Sequence, residues 1–179
     1  MTADGPLRLL VVCLGNICRS PMAEGALRAR IEAAGLQHRV EVDSAGLGNW
    51  HSGHPPDRRA IACAARHGVD ISGLRARQLV DADYTRFDAL LCADADVLYT
   101  VAAHSPEEAT AAAELLLDWC GLGVNAQIPD PYTLDSAAFE NTWNLVDAAA
   151  AATVVRLKND LVFDGNSGLM DARHGGKGQ

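Results

Sequence analysis

The sequence predicts an α/β domain, a central parallel sheet of about four strands with helices on both faces, and three observations predict it. Aliphatic runs of strand length alternate with helix-length stretches along the chain, the order that builds a parallel sheet covered by helices. The first run, Leu7 to Val12, is aliphatic apart from Arg8, as a strand buried on both faces would be. The length, 179 residues with 49% hydrophobic content, suits one core and is short for two.

Taken in order, the first strand is expected over 7–13. Pro21 suits the first turn of a helix, and Met22, Ala26, Leu27 and Ile31 supply its apolar positions, so a helix is expected over about 20–34, ending near Gly35. A second strand is expected over 39–43 and a second helix over 56–67, closed by Gly68. An apolar strand near 87–92 precedes helical sequence from about 94 to 112, a strand from Glu114 to Asp118, and a long helix from about 136 to 160. The alanine block Ala148 to Ala152 reads as the interior of that last helix. The outcome is a single three-layer domain over residues 1–164, Rossmann-like or flavodoxin-like. The tail, 165–179, ending in His174-Gly175-Gly176-Lys177-Gly178-Gln179, is expected to be disordered.

Composition excludes several functions. With 15 Lys and Arg against 23 Asp and Glu, the formal charge of −8 repels a polyanionic backbone, and the basic residues are scattered, so nucleic acid is not an expected partner. The arginines at 58, 59, 75 and 77 read first as solvated faces. No apolar run reaches about 18 residues and no cationic leader precedes Leu7, so neither membrane insertion nor secretion is expected, and the location is read as cytoplasmic. The five cysteines, at 13, 18, 63, 92 and 120, are odd in number and lack paired metal-ligand spacing, which argues for reduced thiols and against a disulfide framework or a zinc site. Cys63 and Cys92 read as core residues.

The most informative stretch is Cys13-Leu14-Gly15-Asn16-Ile17-Cys18-Arg19-Ser20-Pro21. It puts a cysteine at the end of a strand and an arginine six residues later at the start of a helix, where ligands of parallel sheets bind. The amides of a curled loop and the positive end of the helix would surround an anion, and the Arg19 fork could hold two of its oxygens at once. The same field favours the thiolate of Cys13 over its thiol. Gly15 and Asn16 both tolerate positive φ, which a tight anion-wrapping loop demands, and Ser20 adds a hydroxyl beside the helix start.

These residues resemble the active-site loop of the low-molecular-weight protein tyrosine phosphatases, a cysteine, five residues, then Arg-Ser near the N-terminus. The resemblance extends to Asp43-Ser44-Ala45-Gly46 followed by Trp50, to the stretch around Arg58, Arg59 and His67-Gly68, to Ala76-Arg77-Gln78 and to Asp130-Pro131-Tyr132, and it covers roughly residues 7 to 160. It implies hydrolysis of phosphotyrosine in proteins through a cysteinyl-phosphate. Cys13 would be the nucleophile, Arg19 the phosphate clamp, and Asp130, on a loop stiffened by two prolines, the acid that protonates the leaving oxygen and then activates water. Leu14, Gly15, Asn16, Ile17, Cys18 and Ser20 would form the substrate-binding loop. Trp50 and Tyr132 would wall the substrate ring, and Asn16 and Ser44 would hold the loop in shape. Cys18 would pair reversibly with Cys13 under oxidation. That chemistry requires no metal or organic cofactor.

Three departures from the family pattern touch the supports rather than the chemistry. Thr133 stands where a second tyrosine is common, Leu74 where a histidine is common, and Val97 near Asp94 where an asparagine is common. Two rivals stay open at this point: an arsenate reductase of the same fold, and a non-catalytic phosphotyrosine-binding module. The alanine-rich, arginine-for-lysine composition hints at a bacterial source, for which a tyrosine autokinase tied to exopolysaccharide export is one candidate partner. The oligomeric state is not legible.

Overall fold

The computed structural model describes residues 5–170, with side chains as far as 159. Four strands, β1 (Leu7–Cys13), β2 (Val40–Gly46), β3 (Ala89–Cys92) and β4 (Ala112–Leu115), form one sheet in the order β2-β1-β3-β4. Every pairing is parallel: Leu7 to Cys13 faces Val40 to Gly46 on one side, and Leu9 to Val12 faces Ala89 to Cys92 on the other. The expected fold class is therefore the observed one. β1 is central, which is why its sequence is aliphatic nearly throughout.

The period of two along β1 divides the core. Leu9, Val11 and Cys13 point into a cluster with Met22, Leu27, Ile31, Phe139, Trp143 and Val146, built on helices α1 (Arg19–Ala33), α2 (Arg58–Arg66) and α6 (Ser136–Met170). Leu10 and Val12 point to the opposite face, against Tyr84, Phe87, Val97 and Val101 of the α3 (Asp83–Arg86) and α4 (Ala95–Ala103) side. Close approach is built in where α1 crosses the chain after α2: a Cβ on Gly25 would lie 2.4 Å from Cγ2 of Ile71.

Several boundaries differ from the sequence reading. β2 runs three residues past 43, because its register with β1 continues to Cys13 and Gly46 although Asp43 and Ser44 are polar. The helical stretch expected over 94–112 stops at Ala103, and Pro106 bars the preceding residue from continuing a helix. The strand expected from Glu114 to Asp118 lies instead over Ala112–Leu115, limited by the length of β3, and Leu116–Trp119 forms the short helix α5. The four-residue helix α3 was not anticipated; the Asp83 carboxylate tethers its start by accepting from the Val80 amide at 3.0 Å. Backbone helix α6 is described to Met170, and the rest of the tail expected to be disordered, 171–179, lies outside the described residues.

Candidate active site

β1 delivers Cys13 to the carboxyl edge of the sheet, and the loop 14–18 turns there into α1. The turn is made by Asn16 at φ 54°. Gly15 does not use positive φ as expected; its lack of a side chain matters for space, since a Cβ would approach His51 Cδ2 to 3.2 Å. The loop lies directly on the end of β2, where a Cβ on Gly46 would come within 2.9 Å of the Asn16 amide nitrogen. Outside amides take up the loop's carbonyls: Leu47 donates to Cys13 at 3.0 Å, Gly48 to Leu14 at 3.0 Å and Asp57 to Ile17 at 2.8 Å. The amides of Gly15, Ile17 and Cys18 find no acceptor among the described residues. Donors clustered this way at a helix start form an anion cradle.

Cys13 sits at the floor, a buried residue whose sulfur has the Ser20 hydroxyl at 3.0 Å and the Asn16 amide donating at 3.3 Å. The Asn16 side chain is the hub behind it. Its Nδ2 donates to Ser20 and to Ser44, each at 2.9 Å, and its Oδ1 accepts from the Arg77 amide at 2.9 Å. Ser44 in turn donates to Glu24 at 2.6 Å. Asn16, Ser20, Ser44 and Glu24 are all buried, behind the loop rather than in the cavity.

Arg19 is almost wholly buried, so its guanidinium is aimed by partners. It pairs with Asp94, donates to the Ile128 carbonyl at 3.2 Å, and reaches Asp130 Oδ2 at 3.0 Å through Nη2. Asp94 stands just past the end of β3 and caps α4 by accepting from the Val97 amide at 2.8 Å. The loop that carries Asp130 is rooted where Ile128 donates to Ala93 at 2.8 Å, and the Tyr132 amide holds Asp130 Oδ1 at 3.2 Å. Cys13, Arg19 and Asp130, expected from the sequence, thus meet in one place.

They line a cavity of about 440 Å³ including its open mouth, together with Leu14, Gly15, Ile17, Cys18, Trp50, His51 and Tyr132. Trp50 is 65% exposed and Tyr132 48%, so both present aromatic surface at the mouth. Thr133, in place of a second tyrosine, is exposed beside them. Leu74, in place of a histidine, packs against the core, and the loop's support runs through Asn16, Ser44 and Glu24 without it.

Sequence reading missed Asp94, Glu24, His51 and Arg59. Asp94 carried a usable signal, an aspartate after an apolar strand at the same sheet edge as Cys13; Glu24 shows only as one of two acids in a helix that also carries three arginines. Burial pushes the Glu24 carboxyl up, against the lowering pull of Ser44 and Arg28. Burial, then Asp57, pushes the Cys18 thiol up. Among the described residues one cluster has metal-ligand atoms within 4.8 Å of one another, Cys63, His67 and Glu140. Both Glu140 oxygens are already taken, by Arg66 and His67, so it serves as an ion-pair seam between α2 and α6.

Residues 8–162 match the family model for low molecular weight phosphotyrosine protein phosphatase. A low molecular weight protein-tyrosine-phosphatase of Streptomyces coelicolor is 40% identical over 157 residues, 86% of this chain and 95% of that one. Among solved structures, YfkJ from Bacillus subtilis is 32% identical with a TM-score of 0.80, covering 88% of this chain and 98% of that chain. Vibrio vulnificus Wzb in complex with benzylphosphonate is 30% identical with a TM-score of 0.73, covering 85% and 99%.

Proposed function

The chain belongs to the low molecular weight phosphotyrosine protein phosphatase family and is a protein tyrosine phosphatase; from that premise we propose that it hydrolyses phosphotyrosine in proteins through a phosphorylated Cys13. The observation that carries this reading is the meeting of Cys13, Arg19 and Asp130 around one cavity with apolar walls. The Cys13 thiolate attacks phosphorus in line while the loop amides and Arg19 hold the equatorial oxygens. The bond from phosphorus to the tyrosine oxygen breaks as Asp130 gives that oxygen its proton. Water then attacks the cysteinyl-phosphate, Asp130 takes a proton from it, and the sulfur departs as a thiolate stabilised by the Ser20 hydroxyl and the Asn16 amide. Tyrosine and inorganic phosphate are the products.

Trp50 and Tyr132 supply the ring walls, with Leu14 and Ile17 from the loop. The benzylphosphonate held by the Vibrio vulnificus relative, a ring bearing a phosphorus group, supports that reading. A bacterial tyrosine autokinase tied to exopolysaccharide is the substrate we favour, on a bacterial source that the composition and the Streptomyces relative support. The five free cysteines support a cytoplasmic location. An arsenate reductase would need further thiols able to reach Cys13 in a mobile segment, and Cys63 and Cys92 are wholly buried in the core on α2 and β3.

The test is turnover of a phosphotyrosine peptide, a phosphoserine peptide, and arsenate with thiol, by the native chain, Cys13→Ser and Asp130→Ala. The expected result is hydrolysis of phosphotyrosine alone, abolished in Cys13→Ser and lowered about 10²–10⁴-fold in Asp130→Ala, as for a lost general acid. Arsenate reduction, or binding of the peptide without turnover, would overturn the reading.

A further inference from the structure

We propose that Arg59 is a positioning residue: with Asp57 it bridges the phosphate loop to the acid loop and fixes Asp130 against the leaving group. The inference rests on the reading of Asp130 as general acid. Arg59 sits in the first turn of α2, and its partners lie in both directions. Toward the phosphate loop, the Asp57 amide donates to the Ile17 carbonyl at 2.8 Å, and the Asp57 carboxylate caps α2 by accepting from the Arg59 amide at 2.8 Å. The same carboxylate accepts from Arg59 Nε at 3.0 Å and Nη2 at 2.8 Å, a two-point pairing that fixes the guanidinium plane.

Toward the acid loop, Arg59 Nη2 donates to the Tyr132 carbonyl at 2.9 Å and Nη1 to the Leu134 carbonyl at 3.2 Å. Its guanidinium carbon also lies 4.6 Å from the Phe139 ring centroid and 5.8 Å from that of Tyr132. Tyr132 is the residue whose amide holds Asp130 Oδ1. Gripping Tyr132 by its carbonyl therefore sets where the acid stands, at the end of the loop opposite its anchor on Ala93. The pair is partly solvated, so its value lies in geometry: misplacing a catalytic group by about 1 Å can cost on the order of 10²-fold.

A misplaced acid has a signature that general loosening lacks. An enzyme that protonates its leaving group is insensitive to how basic that group is, and one that cannot becomes sensitive. The experiment measures kcat/KM for aryl phosphates from p-nitrophenyl phosphate to phenyl phosphate, using the native chain, Asp130→Asn, Arg59→Met and Arg59→Lys. Arg59→Met keeps an unbranched apolar stem beside Phe139 but donates nothing; Arg59→Lys keeps the charge without the fork. The expected result is a steep dependence in Asp130→Asn. Arg59→Met follows in the same direction, losing about tenfold on phenyl phosphate and less than about threefold on p-nitrophenyl phosphate. Arg59→Lys falls between, and carries the test alone if the methionine variant does not fold. A uniform change across all leaving groups in both Arg59 variants would overturn the proposal while the acid reading stands. A flat profile in Asp130→Asn would overturn the acid reading itself, and the proposal with it.

Discussion

Nη2 of Arg19 donates to Oδ2 of Asp130 across 3.0 Å, between residues 111 positions apart. The residues proposed as phosphate clamp and acid thus share one hydrogen bond, with Asp94 holding the other arm of the guanidinium.

Arg19→Lys should be far from conservative for that reason. A lysine ammonium is a point charge without the planar fork, and it cannot reach Asp94, the Ile128 carbonyl and a phosphate in a fixed geometry. The expected loss in kcat with p-nitrophenyl phosphate is about 10²–10³-fold, the scale of removing a donor to developing charge. Retention of more than a tenth of native kcat would show that charge alone suffices.

Asn16→Ala removes three side-chain hydrogen bonds at a buried position and places a Cβ-bearing residue without a polar side chain at φ 54°. Each buried group left unpaired costs about 1–3 kcal/mol. Chemical denaturation should show a loss of that order, together with weaker inhibition by inorganic phosphate as the cradle loosens. Ser44→Ala, which breaks one spoke, should fall between this variant and the native chain in both readouts. Unchanged phosphate affinity in both would sink the supporting role.

What the sequence disclosed follows from how local each signal is. Cys13 and Arg19 lie within one short stretch whose spacing reads as an anion cradle, whereas Asp130, by its local sequence a turn former before Pro131, was marked only through the resemblance of Asp130-Pro131-Tyr132 to the family's segment. The parallel sheet was legible from β1, because a strand buried on both faces must be aliphatic. Glu24 and Arg59 matter through partners 20 and 73 positions away, and no local pattern marks such pairings. The short elements failed for a related reason: β4 ends where β3 ends, which is a property of the neighbour and not of Glu114 to Asp118.

Oxidation should link Cys13 to Cys18. Peroxide oxidises the Cys13 sulfur to the sulfenic acid, and the Cys18 thiol then displaces water to form the disulfide, which added thiol reduces. Burial holds Cys18 protonated, so closure should be slow at neutral pH and faster as pH rises. Peptide mass mapping of peroxide-treated protein should show the Cys13–Cys18 crosslink. Activity that thiol restores without that crosslink would refute the pairing.

The pH dependence of stability should carry the mark of Glu24. Its side chain is buried at the back of the loop network, receiving the Ser44 hydroxyl at 2.6 Å and an ion pair from Arg28 at 2.6 Å. Burial nonetheless raises its folded value above the ordinary 4.5. A raised value means the folded state holds the proton more tightly than the unfolded chain does, so this contribution is fully present below 4.5 and is lost as pH rises through the folded value. Glu24→Gln keeps an acceptor for Ser44 and no longer titrates. The melting temperature of Glu24→Gln relative to the native chain should therefore climb from pH 4 to pH 7, and the Asn16 network should keep its phosphate affinity, since the Ser44 hydrogen bond survives. A relative melting temperature that falls over the same range would mean that Ser44 and Arg28 outweigh burial, and that Glu24 acts as an anchored carboxylate.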